Sequence, residues 1–452
     1  MNLKNKKVLV LGLGITGIST IKALDKLGAD IVLSDKKTEE DLKDVLDKIN
    51  YISMEKHLNT DEFDLQGIDL IIKSPGIPPF VKLLKIANEN GIEVITDIEF
   101  AYRVSQNKNF IAITGTNGKT TSTMLTGEIL RKAKIKTHVV GNIGTGIMDK
   151  ILEAGNDDVF VTELSSFQLE HTSTFKPKIG LITNITPDHL DWHGSFENYR
   201  DAKLKIFRNQ DKMDYLILNY DDINLRGLKN KVKSKVIYFS TKEKLQEGIY
   251  ADEEYIIINY HNDSLKLMRC DELKILGKHN LENALGCIGI AIAMGISIDI
   301  LKEALKTFQG VEHRLEFVAT WDGITFYNDS KGTNPDASMK AVEAVKKPII
   351  LIAGGYDKGS SYDEFIRSFN GKVKALILLG QTKEKIKEAA MANNFTNFFL
   401  VNNMKEAVGV SSKIGIQGDN VLLSPACASW GMYKNYEERG KDFKKEVFDL
   451  ME

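Results

Sequence analysis

Residues 110–130, FIAITGTNGKTTSTMLTGEIL, constrain this chain more than any other stretch. The apolar run Phe110-Ile111-Ala112-Ile113 stops at a polar turn, which predicts a buried parallel strand. Gly115-Thr116-Asn117-Gly118-Lys119-Thr120-Thr121 follows, and then Met124, Leu125, Ile129 and Leu130 recur at helical spacing. Strand, glycine loop, Lys-Thr and helix in that order make a phosphate-binding loop. The glycines let backbone N–H groups turn in on an anion, and the helix N-terminus adds its positive end. Gly115 through Thr121 would cradle the phosphates, with Lys119 reaching the β- and γ-phosphates and the Thr120 hydroxyl able to ligate Mg²⁺. The spacing departs from G-x-x-x-x-G-K-[ST], which would put its first glycine at Ile113. An ordinary strand-turn-helix with a surface lysine is the plainer reading; glycines, lysine, hydroxyl and flanking elements together argue against it.

A length of 452 residues suggests about three domains. With 42% hydrophobic residues there is ample core material, and a net charge of −2 gives no reason to expect nucleic acid or an anionic membrane as partner. Cys270, Cys287 and Cys427 stand far apart without metal spacing, which suits free thiols in a reducing cytoplasm. MNLKNKKVLVLGLG reads as a first strand entering a glycine turn rather than a signal peptide. No apolar run reaches the roughly 18 residues of a membrane span. The expectation is a soluble cytoplasmic protein, and nothing demands more than a monomer.

Residues 7–100 alternate strands and helices, the pattern of a small doubly wound α/β domain. Their first turn is Gly12-Leu13-Gly14-Ile15-Thr16-Gly17, a full G-x-G-x-x-G, with Asp35 ending the second strand and Ser74-Pro75-Gly76 following another. Alone this pattern argues for NAD. The loop's physics requires only a diphosphate on a helix N-terminus, so a nucleotide sugar fits as well. Glycines serving only strand-helix packing would give the same string. A nucleotide loop downstream weighs against NAD.

The middle of the chain, 98–310, places Gly141-Asn142 after one strand, Glu163 at the end of another, and Asp188-His189 beyond a third. Ligands of open α/β sheets sit at carboxyl strand ends, which sets Glu163 and His189 beside the phosphate loop as plausible divalent-metal ligands. Taken alone, His189 reads rather as a hydrogen-bonded loop histidine. Phe196, Tyr199, Lys203, Ile206 and Phe207 share one helical face, so Lys203 lies on an apolar stripe. It is a snorkelling lysine, a buried ion pair or a lysine used chemically; the pattern does not choose. From 214 to 269 the chain is strand-rich, with a hairpin turning at 261–264. Asn283 is either an adenine contact or a polar helix start. Residues 311–452 return to α/β alternation, with a hairpin at Asp322-Gly323 and a helix starting at Pro335. Three strand ends there carry hydroxyls, lysines and an aspartate, the make-up of a binding face.

These residues together resemble the Mur ligases, the ATP-dependent amide-forming family of peptidoglycan synthesis, over essentially the whole chain. The shortened loop GTNGKTT at 115–121, ELSSFQL at 163–169, His313-Arg314, NDSKGTN at 328–334 and LSPACASWGMYKNYEERG at 423–440 carry the resemblance. It implies an α/β fold of three domains. A Rossmann-like UDP-sugar domain spans 1–97. An ATP-binding domain with a mainly parallel sheet and a small antiparallel part spans 98–310. A Rossmann-like amino-acid-binding domain spans 311–452. The last motif points to the branch that joins D-glutamate to UDP-N-acetylmuramoyl-L-alanine, with ATP and Mg²⁺.

The resemblance also implies roles. Thr120, Glu163, His189 and a carbamylated Lys203 would hold metal. Ile15, Thr16, Asp35, Ser74, Gly76 and Asn142 would face the nucleotide-sugar substrate. Asn283, Arg314 and Asp329 would hold adenosine. Thr333, Lys358, Ser429 and Tyr436 would receive D-glutamate. Lys119, Glu163, His189, Lys203, Lys331 and His313 would serve the chemical step. Another Mur-type ligase or a folylpolyglutamate synthase shares this architecture and differs in the acceptor it binds.

Overall fold

Three separate sheets hold the strands of the chain. This computed structural model describes every residue except Asp61, Gly144, Thr145 and Asn262, and the side chain of Ile15. The first sheet contains β1 (Lys7–Leu11), β2 (Asp30–Asp35), β3 (Glu55–Leu58), β4 (Leu70–Lys73) and β5 (Glu93–Thr96) in the order β3-β2-β1-β4-β5. All its pairings are parallel. Its inner strands are buried on both faces, which explains the apolar runs VLVL at 8–11 and LII at 70–72. The chain leaves β1 toward β2 on one side and returns as β4 on the other. The turns after β1 and β4 therefore stand side by side at the crevice where such sheets bind ligands.

The second sheet contains β6 (Phe110–Thr114), β7 (Thr137–Gly141), β8 (Val159–Glu163), β9 (Ile179–Ile182), β10 (Tyr215–Asn219), β11 (Lys235–Ser240), β12 (Gly248–Ala251), β13 (Tyr255–Tyr260) and β14 (Asp263–Arg269). Their order is β14-β13-β12-β11-β10-β9-β6-β8-β7. Pairing is parallel from β7 to β12, and β13 and β14 are antiparallel. The expected mainly parallel sheet with a small antiparallel part is what forms. The β13–β14 hairpin turns at His261, next to Asn262, which lies outside the described residues. Strand β6 sits between β8 and β9, so three strand ends converge on the loop it feeds. Under it Phe110 stacks on Phe160 at 5.1 Å between ring centroids and meets Tyr102 and Phe175 edge-on at 5.6 and 5.9 Å.

The third sheet contains β15 (Glu316–Trp321), β16 (Ile324–Asn328), β17 (Ile349–Ala353), β18 (Val373–Leu378), β19 (Phe398–Leu400) and β20 (Asn420–Leu423), ordered β15-β16-β20-β17-β18-β19. Only β15 and β16 pair antiparallel, through a turn in which Asp322 and Gly323 both have positive φ, 47° and 75°. That is the two-residue hairpin its Asp-Gly predicts. Helix Pro335–Ala344 begins at its proline and is capped by Asn334. By internal contacts the chain forms two compact units, Met1–Cys270 with Glu282–Leu305 and Asp271–Leu281 with Lys306–Glu452. The first unit holds the first two sheets and the second holds the third. The sequence-derived boundary at 97 falls on the first residue of helix Asp97–Val104.

One element departs from expectation. The stripe through Lys203 does not lie on a single α-helix: helix Phe196–Leu204 gives way to a 3₁₀ turn at Lys205–Phe207. The tighter winding rotates Ile206 back into the core, so the apolar periodicity survives the change of helix type. Because Phe110 anchors the strand that aims the central loop, Phe110→Ala should lower stability by about 3–5 kcal/mol. Denaturant titration of the variant against wild type measures it, and a loss below about 1 kcal/mol would place that ring outside the core.

Candidate active site at the strand ends

The loop after β6 is shaped by two glycines that no other residue could replace. Gly115 has φ 149°, and a Cβ there would stand 1.9 Å from Thr183 Oγ1. Gly118 has φ 84°, and its Cβ would stand 2.1 Å from Asn283 Oδ1. The loop hangs on the neighbouring strand end. The N–H groups of Thr116 and Asn117 donate to the carbonyl and side-chain oxygens of Asn184 at 2.9 Å each, and Thr183 Oγ1 donates to Asn117 O at 2.5 Å. Thr116 Oγ1 meets the Tyr199 hydroxyl at 2.9 Å. Helix Lys119–Lys132 starts directly behind, with Thr120 and Thr121 buried in its first turn.

Two ammonium groups meet at the loop. Lys119 Nζ donates to Gly115 O at 2.8 Å and Thr116 O at 2.9 Å. Lys203 Nζ donates to the same Gly115 O at 2.8 Å. Lys203 is 1% exposed, and burial followed by the charge of Lys119 drives its pKa well below the ordinary lysine value, against the pull of Asp188 and Glu163. Glu163, buried at the end of β8, accepts from Asn142 Nδ2 through Oε1 at 3.0 Å. Its Oε2 is buried with no hydrogen-bond partner. A buried carboxylate oxygen left bare is the atom a cation would satisfy. His189 sits in the left-handed region, φ 51°, half exposed, its ring 4.8 Å from Phe167 and its Nε2 3.5 Å from Asp188 Oδ2. Among the described residues no three His, Cys, Asp or Glu side chains form a metal-holding group. The expected set differs from such a group in counting Lys203.

At the first sheet, Gly12 has φ 94° and the helix behind it packs so closely that a Cβ on Gly17 would stand 2.3 Å from Gly12 O. Asp35 is a strut for this turn: its carboxylate accepts from Leu13 N–H at 2.7 Å and Lys37 N–H at 2.9 Å. Ser74 Oγ donates to Gly12 O at 3.0 Å, joining the two turns. The Thr16 carbonyl accepts from Ser19 and Thr20. Gly76 is exposed with open space around it. The side chain of Ile15 lies outside the described residues.

In the second compact unit the ends of β16, β17 and β20 gather the remaining expected residues, apart from Asn283, which lies against Gly118 in the first unit. Asp329 accepts from Ser424 Oγ at 2.7 Å and from Leu315 N–H at 3.3 Å; burial pushes its pKa up to about 7. Arg314 is half-buried and its charge pulls that pKa back. His313 is buried, with φ 65°, its Nδ1 2.9 Å from Asn328 Nδ2 and its carbonyl accepting from Lys331 N–H. Gly440 makes room for it, since a Cβ there would stand 2.3 Å from His313 Nδ1. Lys331 Nζ stands 5.5 Å from the Tyr436 ring centroid and Lys358 Nζ 5.2 Å from that of Trp430. Ser429 is buried, and the Thr333 N–H donates to Lys331 O at 2.9 Å.

Sequence reasoning missed several residues. Thr183 and Asn184 hold the central loop; they directly follow the apolar run 179–182, the same strand-end position as Gly115, which is a usable signal. Ser424 likewise follows β20. Arg439 lies within the singled-out segment 423–440, but its own role had no signal there: it is buried on a late helix and donates to Ser330 O at 2.7 Å, Ser330 Oγ at 3.0 Å and Cys427 O at 3.0 Å.

Three family profiles match the chain in tandem. They are Mur ligase MurD-like, N-terminal domain, over residues 6–96; Mur ligase middle domain, over 113–291; and Mur ligase, glutamate ligase domain, over 313–427. The UDP-N-acetylmuramoylalanine--D-glutamate ligase of Thermoanaerobacter sp. (strain X514) is 50% identical, covering 100% of both chains. The protein of the same name from Clostridioides difficile (strain 630) is 48% identical, also over 100% of both. Among solved structures, a UDP-N-acetylmuramate-alanine ligase from Thermotoga maritima aligns with a TM-score of 0.60 at 21% identity, over 99% of this chain and 100% of that one. A UDP-N-acetylmuramoylalanyl-D-glutamyl-2,6-diaminopimelate--D-alanyl-D-alanyl ligase from Acinetobacter baumannii gives 0.61 at 16%, over 98% and 92%. At that identity the likeness is one of fold, and the fold is the three-domain α/β arrangement. Half of all positions shared end to end with curated relatives, and three profiles in chain order, make this chain a member of the Mur ligase family.

Proposed function

We propose that this Mur ligase joins D-glutamate to UDP-N-acetylmuramoyl-L-alanine, driven by ATP, in peptidoglycan precursor synthesis. The observation that carries the reading is the full-length identity of 50% to a D-glutamate ligase. We assign residues 1–97 to the nucleotide sugar, 98–310 to ATP and 311–452 to the amino acid. No helix among the described residues is long and apolar enough to cross a membrane. We assign the protein to the cytoplasm, as a monomer.

A carboxylate does not acylate an amine at neutral pH, because its oxygen is too poor a leaving group. Phosphoryl transfer from ATP turns it into an acyl phosphate that an amine can attack. The loop at 115–121 presents a helix N-terminus to the phosphates, and Lys119 exchanges two carbonyl oxygens for phosphate oxygens. Two Mg²⁺ ions, one held by Thr120 and the other by Glu163, His189 and Lys203, would neutralise the phosphate oxygens drawn together in transfer. The bare Oε2 of Glu163 fits such a cation. Burial favours the neutral amine of Lys203, the form that can take up carbon dioxide as a carbamate and become an anionic ligand. Asn142 bridges Glu163 and the acceptor, and Thr16, Asp35, Ser74 and Gly76, with Ile15, frame the uridine diphosphate. Asn283, Arg314 and Asp329 hold adenosine. Lys358, Ser429, Thr333 and Tyr436 receive the two carboxylates of D-glutamate, and Lys331 steadies the transferring phosphoryl group. His313 acts through Lys331, whose N–H its carbonyl accepts.

Phosphate release from ATP should require UDP-N-acetylmuramoyl-L-alanine and D-glutamate together; release that needs neither, or that follows another amino acid or a folate acceptor, overturns the assignment. Lys203→Ala should lose at least about a hundredfold in kcat, the scale of a lost electrostatic contact to the reacting centre. A small carboxylate should restore part of that loss and bicarbonate should not; unchanged turnover removes Lys203 from the site. Asp329 gives a pH signature in the unliganded protein. Its folded pKa is raised, so its contribution is full below the unfolded value and is lost as pH rises toward about 7. Chemical denaturation at pH 5 and pH 7.5 should show a smaller fall in stability for Asp329→Asn than for wild type.

A further inference from the structure

Lys73 closes β4 and is 1% exposed, among the largest fully buried side chains of the chain. An ammonium withdrawn from water is costly unless its donors are satisfied. All three are: Nζ donates to the carbonyls of Ile77 at 2.9 Å, Pro75 at 3.3 Å and Ser74 at 3.4 Å. These belong to one turn, closed by Ile77 N–H to Ser74 O at 3.1 Å and tied to the Gly12 turn through Ser74 Oγ. Within the turn the Ser74 N–H donates to Leu11 O and the Ile77 N–H to Ser74 O, and Pro75 has none, which leaves only the N–H of the exposed Gly76 without a partner among the described residues. Its trans peptide turns the Pro75 carbonyl toward the cation, so that N–H faces the other way.

The charges around Lys73 belong to the same compact unit. Burial brings the pKa of Lys73 down to about 8 against the pull of Asp97 and Glu170, and burial, aided by the charge of Lys73, holds His171 at about 4. Over it lies the Trp192 ring, 5.6 Å from Nζ to centroid, on the short helix Leu190–His193 that directly follows His189. One buried cation thus gathers a turn of the first sheet and abuts the segment of the second sheet that carries a metal-ligand candidate.

Resting on the function proposed above, we propose that Lys73 is a positioning residue for the nucleotide-sugar substrate: it holds the turn at 74–77 so that its N–H side is left to the diphosphate. In that assignment the diphosphate lies on the turns of the first sheet and ATP on the loop of the second, so this role predicts a split that a merely structural lysine does not. In the full chain, Lys73→Met should raise KM for UDP-N-acetylmuramoyl-L-alanine about tenfold or more, the scale of one charge-assisted hydrogen bond, and leave KM for ATP within about twofold. Lys73→Arg, which keeps charge and donors, should raise the first KM less. Calorimetry with UDP alone should show the same weakening without turnover. A nucleotide-sugar KM within about twofold of wild type, or an ATP KM rising in parallel, overturns the proposal. Should the Met variant not fold, the Arg variant decides by the same split. Should wild type release no phosphate with any substrate pair, the function falls instead, and equal UDP affinity in wild type and variant would separately sink the role of Lys73.

Discussion

One carbonyl oxygen, that of Gly115, accepts hydrogen bonds from two lysines at 2.8 Å each. Burial first, and the like charge of Lys119 second, weaken the hold of the deeper one, Lys203, on its proton. Both ammonium groups are thereby tied to the backbone of the loop. Everything around it serves to keep that carbonyl where it is. The aromatic packing under β6, the grip of Asn184 on the loop's N–H groups and the two glycines with positive φ all fix its backbone.

The same device recurs in each sheet. A parallel array sends consecutive connections to opposite sides, and the strand ends at the reversal leave a crevice. In the first sheet Asp35 and Ser74 spend their side chains bracing the Gly12 turn. In the third, Ser424 braces Asp329, while Arg439 binds the loop after β16 to the loop after β20. Each crevice is thus built largely from backbone groups, with polar side chains used as struts. A substrate with diphosphate, amide and carboxylate groups is the kind that backbone N–H donors recognise.

What the sequence disclosed follows from where the information sits. The central loop was legible because glycines, lysine and hydroxyl are contiguous and each has one physical reason to be there. Lys203 was legible as an anomaly, since a lysine on an apolar stripe breaks the pattern, but its partner could not be read: Gly115 lies far away in the chain. The short strands EKHL at Glu55–Leu58 and FFL at Phe398–Leu400 lack a clear alternation and owe their form to pairing with β2 and β18. Lys73 was silent, and the role of Arg439 inside the segment 423–440 was hidden, for the opposite reason. A lone buried cation looks in sequence like any surface lysine or arginine, and only the carbonyls it meets reveal it.

The contact between His313 and Gly440 has an evolutionary consequence. Glycine in a helix interior costs about 1 kcal/mol relative to alanine, so position 440 is under steady pressure to gain a methyl group. While the imidazole stands 2.3 Å from where that methyl would go, the change is barred. Were the ring first replaced by something smaller, the helix could take the methyl at once, and the histidine could not then return. The pair works as a ratchet: divergence at these two positions proceeds in one order only, and the histidine cannot return while the methyl of the second step stands.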